Sequence, residues 1–293
     1  MIFINRKTLK KMAVTLDDIK ALRTKTGAGM SDCKKALTEA EGDFEKAIEI
    51  IRKKGLAVAA KRSDREASEG CVLVKVDGNF GAIIALKCET DFVANNKDFI
   101  ALTQSILDAA VAAKAKSLDE VKALPFEGKT VADIVLERTG IVGEKLELDG
   151  YNYIEAPEIA SYNHQGKNFL CCLVAFNKEV SDKEYVHEIA LQVAAQNPIA
   201  VKPEEVPADI VAREKEIAAD KAREEGKPEN MIERIAEGRM KKFYDESCLL
   251  NQKYIVDEKK TVAEYLKALD KDLTVTAFRR FTLKSEYVKI SPY

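Results

Sequence analysis

Two histidines and six cysteines are the residues of this 293-residue chain best suited to nucleophilic or metal chemistry, and their spacing supports neither. Cys33, Cys71, Cys88, Cys171, Cys172 and Cys248 include no Cys-x-x-Cys pair, and His164 and His187 stand at no zinc-type spacing from them. No Ser/His/Asp or Cys/His set can be assembled, because His187 lies among aliphatic residues of a helical stretch and His164 in a turn. Gly27-Ala28-Gly29 lacks the third glycine of a dinucleotide fingerprint, Asp32 standing in its place, and it follows a helix instead of a strand. Gly128-Lys129-Thr130 has the look of the end of a phosphate loop, but Ala123 occupies the first glycine position and Pro125 interrupts the loop. No cofactor and no metal are expected.

What remains is the chemistry of binding. Cys88-Glu89-Thr90-Asp91-Phe92-Val93-Ala94 sets a carboxylate beside a large ring where a strand ends and a helix begins. A rigid ring fills a partner's pocket with little entropy loss, so Thr90, Asp91, Phe92 and Val93 are expected to form the tip of a probe. The glycines of Thr26-Gly27-Ala28-Gly29-Met30 are expected to make a turn that exposes Met30 to a partner.

The elements that must position these residues follow from hydrophobic period. Thr15, with Asp18 three residues later, caps a first helix carrying Leu16, Ile19 and Leu22. A second carries Cys33, Ala36, Leu37 and Ala40; a third, after Gly42-Asp43, carries Phe44, Ala47, Ile48 and Ile51. Residues 13–56 thus read as a small three-helix bundle of docking size. Gly55 reads as a helix stop, and the basic, Ala-rich run Arg52 to Arg65 as an exposed linker (57–68) or a charged lip on a partner.

Beyond Gly70 the period alternates. Val72, Val74 and Val76 lead through Asp77-Gly78-Asn79 into a second strand, Phe80 to Leu86, and a helix from about Lys97 to Lys114 follows the probe. The order recurs with a strand from Ile159 to Tyr162, the turn Asn163 to Gly166, a strand from Phe169 to Phe176 and a helix from about Asp182 to Gln196. Two hairpin-helix units suggest an internal duplication and a two-lobed α+β core, lobe 1 at 69–155 and lobe 2 at 156–204 and 248–293. Cys171 and Cys172, adjacent in a strand, should point to opposite faces. Gln192 and Gln196 are expected to reach outward. Between the Pro203/Pro207 departure and Ser247, two helices with narrow apolar seams meet at Gly226-Lys227-Pro228, so 205–247 reads as an antiparallel arm projecting from the core.

Lys plus Arg total 47 and Asp plus Glu 49, a net charge of −2 that excludes a uniform field for nucleic acid. No apolar stretch approaches the roughly 18 residues of a membrane span. Reduced thiols used as small core residues fit a cytosol-like, cytoplasmic setting. Residues 1–12 read as a disordered tail or a start-site artefact, Met12-Ala13 being the more natural beginning.

Four stretches carry a resemblance. Leu22-Arg23-x-x-Thr26-Gly27-Ala28-Gly29-Met30-x-Asp32-Cys33-Lys34-Lys35-Ala36-Leu37, Thr90-Asp91-Phe92-Val93-Ala94, Glu237-Gly238-Arg239-Met240-Lys241-Lys242-Phe243 and Phe278-Arg279-Arg280-Phe281 together resemble the bacterial-type elongation factor Ts family, from about Met12 to Glu286. The resemblance implies a guanine-nucleotide exchange factor for elongation factor Tu, acting by binding and not by covalent chemistry. It implies a UBA-like first module docking through Arg23, Thr26, Gly27, Ala28, Gly29 and Met30. It also implies a wedge at Asp91 and Phe92 near the partner's magnesium and switch region, and a second lobe that holds the partner's third domain. There His164 and Gln192 are candidate contacts, Gln192 standing where many relatives carry a histidine. A homodimer through the arm is a further expectation. A non-translational scaffold, or an enzyme using Cys88 or His164, are the competing readings.

Overall fold

A computed structural model of the chain describes residues 14–284; the expectation for residues 1–12 lies outside them. Helices α1 (Leu16–Thr26), α2 (Met30–Glu39) and α3 (Phe44–Lys61) come first, then strands β1 (Glu69–Asp77) and β2 (Phe80–Cys88). They are followed by α4 (Asp91–Ala94), α5 (Lys97–Ala112), α6 (Leu118–Ala123), the short strands β3 (Pro125–Phe126) and β4 (Lys129–Thr130), and α7 (Val131–Val142). The chain continues through β5 (Glu147–Glu155), β6 (Glu158–Asn163), β7 (Leu170–Phe176), α8 (Lys183–Gln196), α9 (Ala208–Glu224), α10 (Glu229–Ser247), α11 (Val262–Leu269) and β8 (Val275–Thr282). This is an α+β protein with two three-stranded sheets, β1-β2-β5 and β6-β7-β8, and a small β3-β4 ribbon.

The described chain divides into two compact units. One takes the residues up to Gly70 with Lys87–Asn96 and Pro125–Leu148; the other takes Cys71–Leu86, Lys97–Leu124 and the chain from Asp149.

In the first unit, Thr15 and Asp18 close a reciprocal capping box on α1, and Gly27 ends that helix at φ 72, a left-handed value open to glycine. Leu22, Cys33, Leu37 and Ala47 fill a core between α1, α2 and α3. The stop expected at Gly55 does not occur: α3 runs through it to Lys61, so residues 57–61 are helix and not linker. The reason is steric, because a Cβ on Gly140 of α7 would fall 1.9 Å from the Gly55 Cα, and the missing side chains let the two helices touch backbone to backbone. The basic run 52–65 is also largely paired. Arg52 meets Glu137 at 2.9 Å, Lys53 meets Glu49 at 2.9 Å, Lys54 meets Asp32, and Arg62 meets Glu89 at 2.9 Å.

In the second unit the two sheets face each other. Val72, Ile83, Ala85 and Ile154 pack against Ile159, Cys171, Leu173 and Ala175. The far face of the second sheet, with Leu170, Cys172, Val174 and Phe176, is covered by α8 and α11 through Val186, Ile189, Val193 and Leu266. Strand β7 therefore alternates between two cores, buried at every residue, with Cys171 and Cys172 on opposite faces as their adjacency requires. It pairs antiparallel with β6 on one side and β8 on the other. Helix α5 lies on β1, where Lys75 meets Asp108 at 2.7 Å. All six cysteines are buried thiols outside any disulfide, and burial pushes those of Cys71 and Cys172 up to about 12.

Helices α9 and α10 form an antiparallel hairpin turning at Gly226, whose φ is 72. Across it Arg239 donates to the Ala218 carbonyl at 3.2 Å and to both Glu225 oxygens at 2.7 Å. At its base Met240, Phe243 and Cys248 pack with Ala200 and Val206.

Candidate partner-binding site

The residues expected to form the probe lie in the first unit. Strand β2 ends at Cys88, and Thr90 caps α4, its hydroxyl accepting from the Val93 N–H at 3.5 Å. Helix α4 has only four residues and none is buried. Phe92 is 86% exposed, the most exposed of the large apolar side chains described, and Asp91 beside it is exposed too. Val93 is half-buried.

Below the ring lies a pedestal of charge-assisted hydrogen bonds. Glu144 receives the Thr90 N–H at 3.0 Å on one carboxylate oxygen and the Thr90 hydroxyl at 2.7 Å on the other. Glu89 receives the Lys145 N–H at 2.6 Å and the Arg62 guanidinium at 2.9 Å. The Lys145 amide first, and Arg62 with it, hold the Glu89 carboxyl below its ordinary value, since both favour the charged form. In the sequence Glu89 stands out only as part of its run, and Arg62, Glu144 and Lys145 are not marked as its neighbours. The one local signal was Gly143, which ends α7 at φ 79 and turns Glu144 off the helix.

The residues expected to dock through the helical module lie at the α1–α2 turn of the same unit. Arg23, Gly27 and Gly29 are exposed, and Thr26 and Met30 are half-buried. Thr26 donates to the Leu22 carbonyl at 2.7 Å and accepts from the Ala28 N–H at 3.3 Å, which stiffens the turn. Two expectations change here. Ala28 is buried in the module's own core, because its methyl group packs with α2 and α3; Met30, expected to be exposed, lies partly against that core. A Cβ on Gly27 would meet the Arg138 guanidinium at 2.8 Å, so α7 also borders the turn.

The two remaining candidates are in the second unit. His164 is half-buried in the turn after β6; its Nδ1 lies 3.2 Å from the Tyr162 hydroxyl and its ring meets Phe169 edge-on. Gln192, expected to reach outward, has no exposed surface. Its Nε2 donates to Gln252 Oε1 and to the Lys253 carbonyl, each at 3.1 Å, and its Oε1 accepts the Ile255 N–H at 2.9 Å. The amide is consumed in tying α8 to the segment after α10, because the loop amides there need a partner once buried. Among the described residues no three His, Cys, Asp or Glu side chains gather as metal ligands, and no helix is long and apolar enough to cross a membrane.

The profile of the family described as Elongation factor TS matches residues 89–285. The elongation factor Ts of Bacteroides fragilis is 51% identical, that of Parabacteroides distasonis 49% and that of Porphyromonas gingivalis 52%. Each comparison covers 94% of this chain and 100% of the relative. The chain belongs to the elongation factor Ts family. An elongation factor Ts is a factor of translation elongation, and this one carries an exposed ring at Phe92 and a hydrogen-bonded turn between α1 and α2. The profile match opens at Glu89, the first residue of the pedestal, so α1, α2 and α3 lie before it while the three relatives extend over most of that region as well.

Proposed function

We infer that this chain is a guanine-nucleotide exchange factor for elongation factor Tu and that it works by binding, with Phe92 as the wedge. The observation that carries the reading is an aromatic ring 86% exposed on a short helix whose cap is held by a part-buried pair of hydrogen bonds. An unsupported surface Phe is costly to keep in water; one held out beside Asp91 fits a polar pocket on another protein. The Arg23 and Thr26 to Met30 turn docks on the partner's nucleotide-binding domain, and the surface around His164 holds a second part of it.

The partner's magnesium ion balances the charge of the bound phosphates, so a ring that displaces the side chains around it weakens GDP binding without touching GDP. Such coupling is reciprocal: nucleotide loosens the factor by as much as the factor loosens nucleotide. Reversing a 1:99 preference to 99:1 takes roughly 5.5 kcal/mol of differential binding. One anchored ring contributes about 2 to 4 kcal/mol by analogy with interface hot spots, so the docking turn and the second unit must supply the rest.

The test is release of fluorescent GDP from elongation factor Tu. Phe92→Ala is expected to leave the thermal transition in place, since the ring touches little of its own chain, and to slow release by at least tenfold, on the scale of about 2 kcal/mol for one anchor. Release at the parental rate under equal concentrations would remove Phe92 from the mechanism.

A further inference from the structure

We propose that Glu144 is a positioning residue for exchange: its carboxylate aims Phe92 by fixing the Thr90 hydroxyl that caps α4, a deepening that rests on the wedge reading of Phe92. A four-residue helix has no stability of its own, because nucleation is unfavourable and no buried face repays it. The direction of the ring is therefore inherited from whatever holds Thr90. Glu144 holds it twice, taking the backbone N–H on one oxygen at 3.0 Å and the hydroxyl proton on the other at 2.7 Å. Spending that single proton on Glu144 sets the hydroxyl rotor, so that the oxygen's lone pair faces the Val93 N–H.

The arrangement requires two acceptor oxygens. A glutamine at this position has one: with its carbonyl on the Thr90 hydroxyl its amide N–H2 confronts the Thr90 N–H, and with its carbonyl on the N–H it donates to the hydroxyl oxygen, competes there with the Val93 N–H and releases the proton that sets the rotor. Support reaches the same place from a second helix, since Arg62, next after α3, holds the Glu89 carboxylate immediately before Thr90. Both helices that cross at Gly55 and Gly140 thus deliver one charged group each to the base of the probe.

The experiment measures fluorescent-GDP release from elongation factor Tu, over a range of factor concentrations, with four proteins: parent, Glu144→Gln, Phe92→Ala and the double variant. Glu144→Gln is expected to lower the rate at saturation roughly tenfold, the size of one lost charge-assisted hydrogen bond, with the half-saturating concentration nearly unchanged. On the Phe92→Ala background the same change is expected to add nothing, because no ring remains to aim. A slow Phe92→Ala together with a full-speed Glu144→Gln, or with additive slowing, overturns the inference alone. Phe92→Ala at parental rate overturns the exchange reading and the inference with it. Should Glu144→Gln fail to fold, Thr90→Ser and Thr90→Val carry the same question: the hydroxyl-bearing variant should keep the saturated rate and the isosteric one lose it, and equal rates overturn the proposal.

Discussion

Gly140 and Gly55 meet unequally: a Cβ on Gly140 would fall 1.9 Å from the Gly55 Cα, whereas a Cβ on Gly55 would reach only to 3.4 Å from the Gly140 Cα. Gly140→Ala must push α7 off α3 and is expected to cost about 1–3 kcal/mol or more. Gly55→Ala finds ordinary contact and gains helix propensity, so it should lie within about 1 kcal/mol of the parent. Denaturant midpoints of the two variants decide the point; equal losses would mean that the helices do not cross there.

Glu89 titrates below its ordinary value of 4.5 in the folded chain, held by the Lys145 amide and then by Arg62. A depressed folded value means that the carboxylate's stabilisation is complete above the unfolded value and is lost as the pH falls through the folded one. The thermal transition of Glu89→Gln should therefore trail the parent by a constant gap from pH 7 to about 5, and the gap should close on further acidification. A gap that widens in acid would contradict the hydrogen-bond frame under the probe.

Gln192→Ala strips the partner from the buried Ile255 N–H, the Lys253 carbonyl and Gln252 at once. A loss of about 1–3 kcal/mol in denaturant unfolding is expected from such orphaned groups. An unchanged midpoint accompanied by weaker binding of elongation factor Tu would return Gln192 to the surface role that its position in the sequence suggested.

Much of this architecture was legible in one chain because its signals are local. The capping box at Thr15 and Asp18, the glycine turns at 27, 78 and 226, and the switch from helical to alternating period beyond Gly70 each depend on neighbours within a few residues. Phe92 was legible for the same reason: a ring beside a carboxylate at the end of an apolar strand has nowhere internal to go. What failed was long-range. Gly55 carried the pattern of a helix end, but its meaning lay in Gly140, far along the chain. Gln192 stood on a plausible outer face of α8, yet the segment 252–255 returns to cover it. Ala28 sat between exposed glycines and is nonetheless core. Glu144 gave no signal beyond the glycine before it, since nothing within a dozen residues bonds to its carboxylate.

Strand β7 has a consequence for how the protein is made. Both of its faces are sealed in hydrophobic cores, and one of its two edges is closed by β8, a segment translated long after it, once α8, the α9–α10 hairpin and α11 have been produced. During vectorial synthesis a strand made wholly of residues destined for burial accordingly waits with an open side, which is the period in which pairing with a foreign chain is easiest. The sheet β6-β7-β8 cannot be completed before Val275–Thr282 has left the ribosome, and nascent chains stalled before that point should be the ones that depend on chaperones.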